Sequence, residues 1–472
     1  RKGYEWDVGV HYIGDVMRSD TPLRRVFDSI SQGRLQWADM GPVVDRIDVG
    51  QGLVDFRAGK EAFREGLLQH FPHAAADLQR YLDCIRQGEK DMGRVFAPRL
   101  LPAPFDRLAE PLARLRGLGA FGRSTQDVMQ QVTRDATLAG VLTGQWGDYG
   151  LPPSQSAFGV HAMIARHYLR GGAYPVGGAS AIARSIVPTI EAAGGLVLVR
   201  AEVAEVLVEG NAAVGVRLAD GSCVRCAQVV SGTGIDTTAT RLLPMELAQR
   251  LFGQRHRTAL SCGHIGLNLG FKHSSAALGL ERPNLWLHAS ADHDGNSARF
   301  LADDSAPLPF VYASFPSAKD PNWDARHPGR STVDLIAAAP YARFARWADM
   351  PWRKRGADYQ RYKEALTQKM LAPLLRQLPH LRDKIDYMEL STPLSTRTFC
   401  NYGAGQLYGM DHTPERFAHH WLRPKTALKG FYLTGQDILT CGVGGALFAG
   451  VATFSSITGL GGLRTLRGVF NG

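Results

Sequence analysis

One stretch near the C-terminus decides the fold: Gly430-Phe-Tyr-Leu-Thr-Gly-Gln-Asp-Ile-Leu-Thr-Cys-Gly-Val-Gly-Gly-Ala-Leu-Phe-Ala-Gly450. Its first residues predict a strand that ends at Thr434-Gly435, and Asp437 follows almost at once. A glycine cluster within 442–445 then opens an apolar helix. Backbone N–H groups at such a helix start, and a carboxylate after such a strand, form a cradle for a nucleotide or a flavin. A packed glycine-rich turn without a ligand is the alternative.

The helix opened by this stretch lies in an uncharged run from Ile438 to Leu463. That run is long enough to cross a bilayer. It is also rich in glycine, and it follows directly from a strand and an acidic turn. We therefore expect a helix buried under a cofactor, with a transmembrane helix as the alternative.

Length and composition limit the classes of protein to which the chain can belong. The chain has 472 residues, of which 44% are hydrophobic and 21% are charged. These values are ordinary for a soluble globular protein of about two or three domains. The cysteine count of 6 excludes a disulfide scaffold and is typical of a reducing compartment, so a cytoplasmic protein is expected. The 52 glycines follow no Gly-X-Y period, which favours tight turns and close backbone approach to a ligand.

The charge balance bears on partners. The formal net charge is +10, yet the densest basic stretch is only Arg353-Lys354-Arg355. The sequence contains no known nucleic-acid module, so nucleic acid is not an expected partner. A mildly basic enzyme fits this charge, and so does a basic face resting on anionic lipid headgroups. The second interpretation predicts peripheral association with a membrane. The sequence indicates no oligomeric state.

Hydrophobic spacing divides the chain into a helical part and a sheet. Residues 21–150 are predicted to be mostly helical, with two helices between Glu61 and Gly88 that separate at Pro72. An amphipathic helix is predicted over Tyr359–Leu378. An antiparallel sheet is predicted from four strand-like runs without long helices between them: Gly263–Phe271, Asn284–Ala289, Pro309–Phe315 and Ser331–Ala338.

The middle of the chain has a different pattern. Residues 171–178 are predicted to form a glycine-rich loop, and a helix follows over Ala179–Ala193. A strand is predicted at Leu196–Arg200. A meander is predicted from three further runs with alternating hydrophobicity: Val203–Glu209, Val214–Leu218 and Cys223–Cys226.

Four blocks of the sequence resemble phytoene desaturase-like and retinol saturase-like flavoproteins. The first is the C-terminal stretch 430–450, and the second contains Tyr408-Gly-Met-Asp-His412. The third begins at Tyr174-Pro-Val-Gly-Gly178. The fourth, Asp7-Val-Gly-Val-His-Tyr-Ile-Gly14, is similar to the retinol saturases in particular. Together the blocks extend from residue 3 to about residue 455, which is nearly the whole chain.

The resemblance implies an FAD-dependent oxidoreductase that acts on long polyenes such as retinoids or carotenoids. It implies an α/β and α+β fold, with an FAD/NAD(P)-binding Rossmann-like domain and a substrate domain of antiparallel sheet plus helices. The residues that it places at FAD are Val203 against the adenine, Gly232 and Gly234 near the dinucleotide, and Gly435, Asp437, Gly444, Gly445 and Ala446. Gly9 and His11 would approach the flavin ring, or they are an ordinary turn glycine and a satisfied histidine.

The resemblance also divides the chain into domains. The FAD-binding domain would comprise residues 1–15, 160–240 and 425–472, and the substrate-binding domain residues 16–159 and 241–424. The sequence departs from the family because no G-x-G-x-x-G follows a strand near the start. That fingerprint supplies the pyrophosphate turn. We expect it upstream of Arg1, so that the FAD-binding domain is incomplete at its N-terminus here. A protein that binds no dinucleotide is the alternative.

Such a flavoprotein would saturate, desaturate or isomerise a carbon–carbon double bond, with NAD(P)H as a candidate electron donor to FAD. Proton transfer needs a positioned side chain, and the candidates are His11, Tyr12 and Tyr408, each of which could instead only pack. The lone pair Cys223 and Cys226 predicts no metal site. Two other functions stay open: a non-catalytic carrier of apolar ligands on the same fold, and an amine-oxidase-like flavoenzyme.

Overall fold

The computed structural model describes residues 1–102, 104–253 and 259–471. Residues 103, 254–258 and 472 fall within the predicted domain segments 16–159, 241–424 and 425–472, and they lie outside the described residues. The division into an FAD-binding and a substrate-binding domain stays a prediction.

The described strands and helices are as follows. The strands are β1 Ile13–Gly14, β2 Trp37–Asp39, β3 Val43–Asp48, β4 Leu53–Arg57, β5 Gly172–Pro175, β6 Val203–Glu209, β7 Ala212–Leu218, β8 Cys223–Arg225, β9 Val229–Ser231, β10 Gly263–Phe271, β11 Asn284–His288, β12 Phe310–Ser314, β13 Ser331–Ala339, β14 Ile385–Ser391 and β15 Phe431–Leu433. The helices are α1 Pro22–Ser31, α2 Lys60–His70, α3 Ala75–Leu100, α4 Phe105–Arg116, α5 Thr125–Val132, α6 Ala136–Leu142, α7 Phe158–Leu169, α8 Ser180–Ala192, α9 Ile235–Thr237, α10 Met245–Phe252, α11 His293–Ala302, α12 Pro316–Lys319, α13 Trp323–Arg326, α14 Gly356–Gln377, α15 Pro393–Cys400, α16 Pro414–Ala418 and α17 Gly442–Asn471.

A seven-stranded sheet, in the order β14-β10-β13-β12-β11-β3-β4, is the largest of the structure. Its neighbouring strands are antiparallel except β11 and β3, which run parallel. One face shares a hydrophobic core with α14, in which Leu267, Leu335 and Leu374 are fully buried. The predicted antiparallel sheet is confirmed, because the four strand-like runs form β10 to β13.

Two strands of this sheet, β3 and β4, come from the region predicted to be mostly helical, so that prediction is wrong there. Strand β3 enters the sheet by pairing with β11, where Asp45 lies opposite Asn284 and Ile47 opposite Trp286. The paired residues of β3 and β11 are far apart in sequence, and no local sequence pattern predicts such a pairing of strands. Helix α11 also separates β11 from β12, where the sequence predicts none. The helices predicted on either side of Pro72 are confirmed as α2 and α3.

A second, smaller group of strands leads to the glycine-rich stretch. Strands β9 and β15 pair in parallel, with Val229 opposite Phe431 and Ser231 opposite Leu433. The predicted meander is confirmed as the three-stranded sheet β6-β7-β8. After β15 the chain turns once and enters α17. The strand–turn–helix order predicted from the sequence is therefore present.

Two predictions in the middle of the chain are wrong. The segment Leu196–Arg200 is not a strand, and its side chains face solvent, with Leu196 80% and Val199 82% exposed. A strand requires a neighbour that completes its hydrogen-bond ladder, and within the described ranges no strand pairs with this segment. The predicted loop 171–178 contains β5, which pairs with both β1 and β2.

Helix α17 has two parts of different character. Its first turns pack into the fold, where Ala449 and Ala452 are fully buried. A kink follows at Gly459, whose φ of 62° lies outside the helical region, and Leu460 is 62% exposed. The helix is long and apolar enough to cross a membrane, and 28% of its most apolar stretch is buried. The first part is therefore only partly buried, and its predicted place under a cofactor stays a prediction.

The core between the large sheet and α14 provides a test of the fold. Leu267→Ala removes a fully buried side chain, so we expect the free energy of unfolding to fall by about 2–5 kcal/mol. Leu301→Ala is the matched control, because Leu301 is 61% exposed and should change that free energy by no more than about 0.5 kcal/mol. Urea denaturation measures both. Equal effects of the two substitutions would contradict the described packing.

Candidate active site

A cavity of about 960 Å³ lies between the large sheet and the start of α17. Strands β10 and β13 contribute Gly266 and Ile336 to its wall, and β1 and the preceding residues contribute Gly9 to Ile13. An aromatic group lines a further part: Trp146, Trp286, Phe310 and Tyr312. The volume is near the upper end for small-molecule sites, so the cavity has room for a flat ring system together with a long ligand.

The first turn of α17 forms one part of the cavity wall, from Gly442 to Gly445. Gly442 has a φ of 79°, a conformation that glycine adopts without strain. A Cβ atom on Gly445 would overlap the carbonyl oxygen of Thr440. The backbone N–H groups of a first helical turn have no partner within the helix, and they carry partial positive charge. This wall therefore suits an electron-rich carbonyl or an anion.

Asp437 is buried outside this wall. It is 2% exposed, and its two carboxylate oxygens accept the backbone N–H groups of Ile235 at 2.7 Å and Met410 at 2.8 Å. Gly234 lies against it, since a Cβ there would come within 3.2 Å of Asp437 Oδ2. The carboxylate therefore ties three chain segments together in this structure. Its predicted contact with FAD stays a prediction.

Arg416 holds the same turn from the other side. It is fully buried, and burial lowers the pKa of its guanidinium. Its guanidinium donates to the carbonyl oxygens of Met410 at 2.5 Å, Gln436 at 2.7 Å and Leu439 at 3.3 Å. The turn between β15 and α17 is thus fixed by a cation that binds backbone carbonyls. The sequence analysis missed this residue, since no local motif marks it.

The cavity wall contains some of the residues predicted from the sequence. These are Gly9, His11, Tyr12, Tyr408, Gly444 and Gly445. Among the described residues the wall does not include Val203, Gly232, Gly234, Gly435, Asp437 and Ala446. The structure thus brings the flavin-ring candidates and the proton-donor candidates to one cavity. The cofactor contacts of the second group remain predictions.

The three predicted proton donors have defined surroundings. Burial, followed by the charge of Lys319, lowers the pKa of His11 to about 3, so its imidazole is neutral near pH 7. The Tyr408 hydroxyl donates its proton to the carbonyl oxygen of Gly147 at 3.1 Å. Tyr12 stacks on Tyr168 with 4.1 Å between ring centroids, and its hydroxyl lies between two carboxyl groups. The Tyr408 proton is thus engaged with a backbone carbonyl, whereas the neutral imidazole of His11 keeps one N–H and its Nδ1 has no hydrogen-bond partner.

The two carboxyl groups at Tyr12 are those of Asp45 and Asp148. The Tyr12 hydroxyl oxygen lies 3.1 Å from Asp45 Oδ2 and 3.2 Å from Asp148 Oδ2. A hydroxyl has a single proton to donate. The hydroxyl therefore brings only one proton to the two contacts, and a protonated carboxyl group would supply a second.

Of the two carboxyl groups, Asp148 is the one whose surroundings favour the protonated form more, because burial raises its pKa further than that of Asp45. Asp45 also accepts the side-chain amides of Asn284 at 2.9 Å and Gln145 at 2.6 Å, which stabilise its ionised form. Asp148 lacks such donors among the described residues, and burial, then the charge of Asp45, raises its pKa well above the usual range. Asp148 lines the cavity, so a carboxyl group with a raised pKa forms part of its wall. Its sequence neighbourhood, a turn-rich loop, gives no signal of this role.

The cavity wall also contains a second cluster, in which Asp7, His11 and Asp334 offer ligand atoms within 4.8 Å of one another. The Asp7 carboxylate accepts the Tyr174 hydroxyl at 2.8 Å, and Asp334 Oδ2 accepts the Asp7 N–H at 3.1 Å. Lys319 supplies positive charge to both carboxyl groups, although burial lowers the pKa of its ammonium. The network satisfies this cluster in part, because Asp334 Oδ1 and His11 Nδ1 have no hydrogen-bond partner among the described residues, and the expectation of no metal site stays a prediction.

Comparison with known proteins places the chain in context. The family described as flavin containing amine oxidoreductase matches residues 1–453. An all-trans-retinol 13,14-reductase from Danio rerio is 31% identical over 477 residues, which is 97% of this chain and 78% of the other. A phytoene desaturase (lycopene-forming) from a Paracoccus species is 27% identical over 296 residues, 61% of this chain and 54% of the other.

Solved structures share the fold at lower identity. Cyclohexylamine oxidase from Brevibacterium oxydans superposes with a TM-score of 0.53 and 12% sequence identity, covering 98% of this chain and 86% of the other. At that identity the similarity concerns the fold alone.

Asp437 allows the structural and the cofactor roles to be separated. In Asp437→Asn the amide NH₂ would face one of the two N–H donors, so we expect a loss of about 1–3 kcal/mol in the free energy of unfolding. Thermal or urea denaturation without added flavin measures this loss. Asp324→Asn, at an exposed position of α13, should have no comparable effect. An unchanged stability combined with weaker FAD binding would assign Asp437 to the cofactor instead.

Proposed function

The chain belongs to the flavin containing amine oxidoreductase family, and on that premise we propose that it is a flavin-dependent oxidoreductase that reduces a carbon–carbon double bond of a polyene. The single observation that carries this proposal is the cavity, which joins a largely apolar wall to the glycine-rich start of α17 and to the carboxyl group of Asp148. The reductive direction is supported by the retinol reductases, whose similarity extends over almost the whole chain.

The residues present fit a flavin ring. The first turn of α17 offers backbone N–H groups to the cavity, and Gly444 and Gly445 leave no side chain between these groups and a ligand. Gly9, with a φ of 125° and open space where a Cβ would stand, lines the same cavity. A flavin bound there would supply two-electron hydride chemistry.

The aromatic residues of the wall exclude water and hold the ligand. Trp146 and Phe310 meet edge to face with 4.8 Å between ring centroids, and Trp286 and Tyr312 lie 4.6 Å apart. Apolar walls of this kind lower the local dielectric and keep water from the reacting carbon atoms. The flat faces also suit the extended π-system of a polyene.

Asp148 is the residue that would supply the proton. When an alkene is saturated, one carbon atom receives a hydride, and the π-electron pair forms a C–H bond from its neighbour to a proton. Asp148 would give that proton from its neutral carboxyl group and become a carboxylate. The Tyr12 hydroxyl can then turn its proton toward Asp148, which stabilises the new charge until water from the open cavity reprotonates the acid.

Two further parts of the proposal concern the surroundings of the enzyme. NAD(P)H would be the electron donor, because net reduction of an alkene requires a two-electron reductant outside the flavin. The protein would act in the cytoplasm and attach peripherally to a membrane, which holds apolar substrates. The net charge of +10 and the exposed second part of α17 with Leu460 support this attachment.

The alternatives are less well supported. A non-catalytic carrier would need neither a helix start that faces the cavity nor a protonated Asp148. An amine-oxidase-like activity is supported by the likeness to cyclohexylamine oxidase, which concerns the fold alone. The retinol reductase from Danio rerio is similar in sequence over 97% of the chain, and this favours a polyene substrate.

A direct assay tests the proposed function. We expect the purified protein, supplied with FAD, to show the visible spectrum of a bound flavin. After anaerobic reduction, added all-trans-retinol or a carotenoid should be converted to a product heavier by two hydrogen atoms, as measured by mass spectrometry. Binding of retinol without flavin and without conversion would favour the carrier. Conversion of an amine alone would favour the amine oxidase.

Substitution of Asp148 tests the proton donor. Asp148→Asn keeps a donor to the Tyr12 oxygen but removes the acidic proton, so we expect alkene reduction to slow by a factor of about 100 or more. Asp324→Asn is the matched control and should leave the rate unchanged. An unaltered rate in Asp148→Asn would refute the assignment.

The pH dependence of stability gives an independent measurement of Asp148. Because burial raises its pKa in the folded state, the folded state binds this proton above pH ~4, where the unfolded chain releases it. Its contribution to stability is therefore present at low pH and declines as pH rises toward the folded pKa. In Asp148→Asn that part of the decline should be absent in urea denaturation at several pH values.

A further inference from the structure

We propose that the cavity takes a ligand with an anionic end, and that Arg355 together with Lys363 binds this end. The proposal rests on the proposed function and deepens it, because it specifies the substrate as a polyene that carries a carboxylate or a phosphate ester. Both groups present oxygen acceptors with negative charge, which a guanidinium binds in the same way.

Arg355 is a buried cation without a carboxylate partner. The residue is 6% exposed and lines the cavity, and its Nε is buried without a hydrogen bond. Within the described part of the chain no carboxylate pairs with it, and its guanidinium Cζ lies 5.4 Å from the Tyr359 ring centroid. Buried charges in proteins are ordinarily paired. A guanidinium also does not avoid its charge by losing a proton, so this site favours an anion.

Lys363 lies beside Arg355, and the two cations together form a region of net positive charge. Burial, with the charges of Arg355 and Arg1, lowers the pKa of its ammonium, and Glu389 opposes that shift. Glu389 does not neutralise the pair, because its carboxylate binds Arg1 and accepts the Tyr387 hydroxyl at 2.9 Å. Lys363 lines the same cavity as Arg355.

The cavity lining that includes these cations also contains aromatic side chains, which offer contacts to the rest of the ligand. Trp352 and Phe399 also line the cavity and meet edge to face with 5.2 Å between ring centroids. The same continuous cavity contains the start of α17 and Asp148. A ligand with one anionic end and a long apolar body therefore satisfies Arg355 and still reaches the reacting groups.

An anionic phospholipid headgroup is the other source of this chemistry. Exposed Arg353, whose guanidinium lies 4.2 Å from the centroid of the Trp352 ring, could contact such a headgroup at the surface. Arg355, in contrast, is almost completely enclosed. A headgroup that stays at the surface would leave Arg355 unpaired, so the observations favour the ligand's own anionic end.

Binding measurements without turnover test the proposal. The protein is loaded with oxidised FAD and titrated by fluorescence quenching with all-trans-retinoate, all-trans-retinyl phosphate and all-trans-retinol. We expect at least one anionic probe to bind about ten times more tightly than retinol, since hydrogen bonds to charged groups are stronger than neutral ones. The tighter of the two anions identifies the carboxylate or the phosphate as the preferred group. Retinol that binds as tightly as both anions would overturn the proposal.

Variants locate the effect at the two cations. In Arg355→Met the preference for the anionic probe should disappear, while retinol binding changes less than about twofold. Lys354→Met is the matched control, because Lys354 is an exposed neighbour outside the cavity wall, and it should retain the preference. Lys363→Met should reduce the preference and serves as a second variant if Arg355→Met does not fold. Equal weakening of all three probes by both cavity variants would overturn the proposal.

Flotation with phosphatidylglycerol vesicles tests whether Arg355 binds a phospholipid headgroup rather than the anionic end of the ligand. If Arg355→Met loses vesicle binding while its retinoate affinity stays that of the wild type, the headgroup is the true partner and the proposal is wrong. Vesicle binding that is unchanged in Arg355→Met supports it. These measurements need no catalysis, so failure of the proposed reduction and failure of this subsite give different results.

Discussion

The buried contact between Asp437 and two backbone N–H groups is the constraint on which the site depends. Its carboxylate joins the segments that contain Ile235 and Met410 to the turn between β15 and α17. Arg416 holds the same turn by donating to its carbonyl oxygens. A turn of this kind exposes many backbone groups that helix and sheet cannot satisfy. Arg416 satisfies carbonyl oxygens of the turn, and Asp437 anchors the turn to two segments outside it. Together they fix where α17 begins.

The position of that helix start determines the position of the cavity. Because α17 begins at Gly442, its unpaired N–H groups point into the space beneath β10 and β13. The large sheet completes the cavity from the other side, and α14 packs on it through a shared hydrophobic core. In this arrangement the start of α17 forms a polar edge on one side of the cavity, and the large sheet forms an apolar face on the other. A flavin needs the first, and a polyene needs the second.

Local signals in the sequence were sufficient for some parts of the molecule and not for others. The strand–turn–helix at 430–450 and the family were predictable, because glycines and an acidic residue at fixed spacing mark a ligand cradle. The roles of Asp148 and Arg355 were not, since each depends on residues distant in sequence that burial brings together. Strand β3 was missed for the same reason. The strand predicted at Leu196–Arg200 is absent because hydrophobicity alone cannot supply a pairing partner.

Burial has opposite consequences for the acids and for the arginine of the cavity, and this difference determines which ligands fit. A carboxyl group such as that of Asp148 can take up a proton and become neutral when water is excluded. The imidazole of His11 avoids charge by losing its proton. Arg355 can do neither, because a guanidinium remains protonated in any protein environment. The titratable groups therefore adapt to an apolar ligand, whereas Arg355 keeps a permanent charge that the ligand must match. A polyene body suits the neutral titratable groups, and an anionic end matches the permanent charge of Arg355.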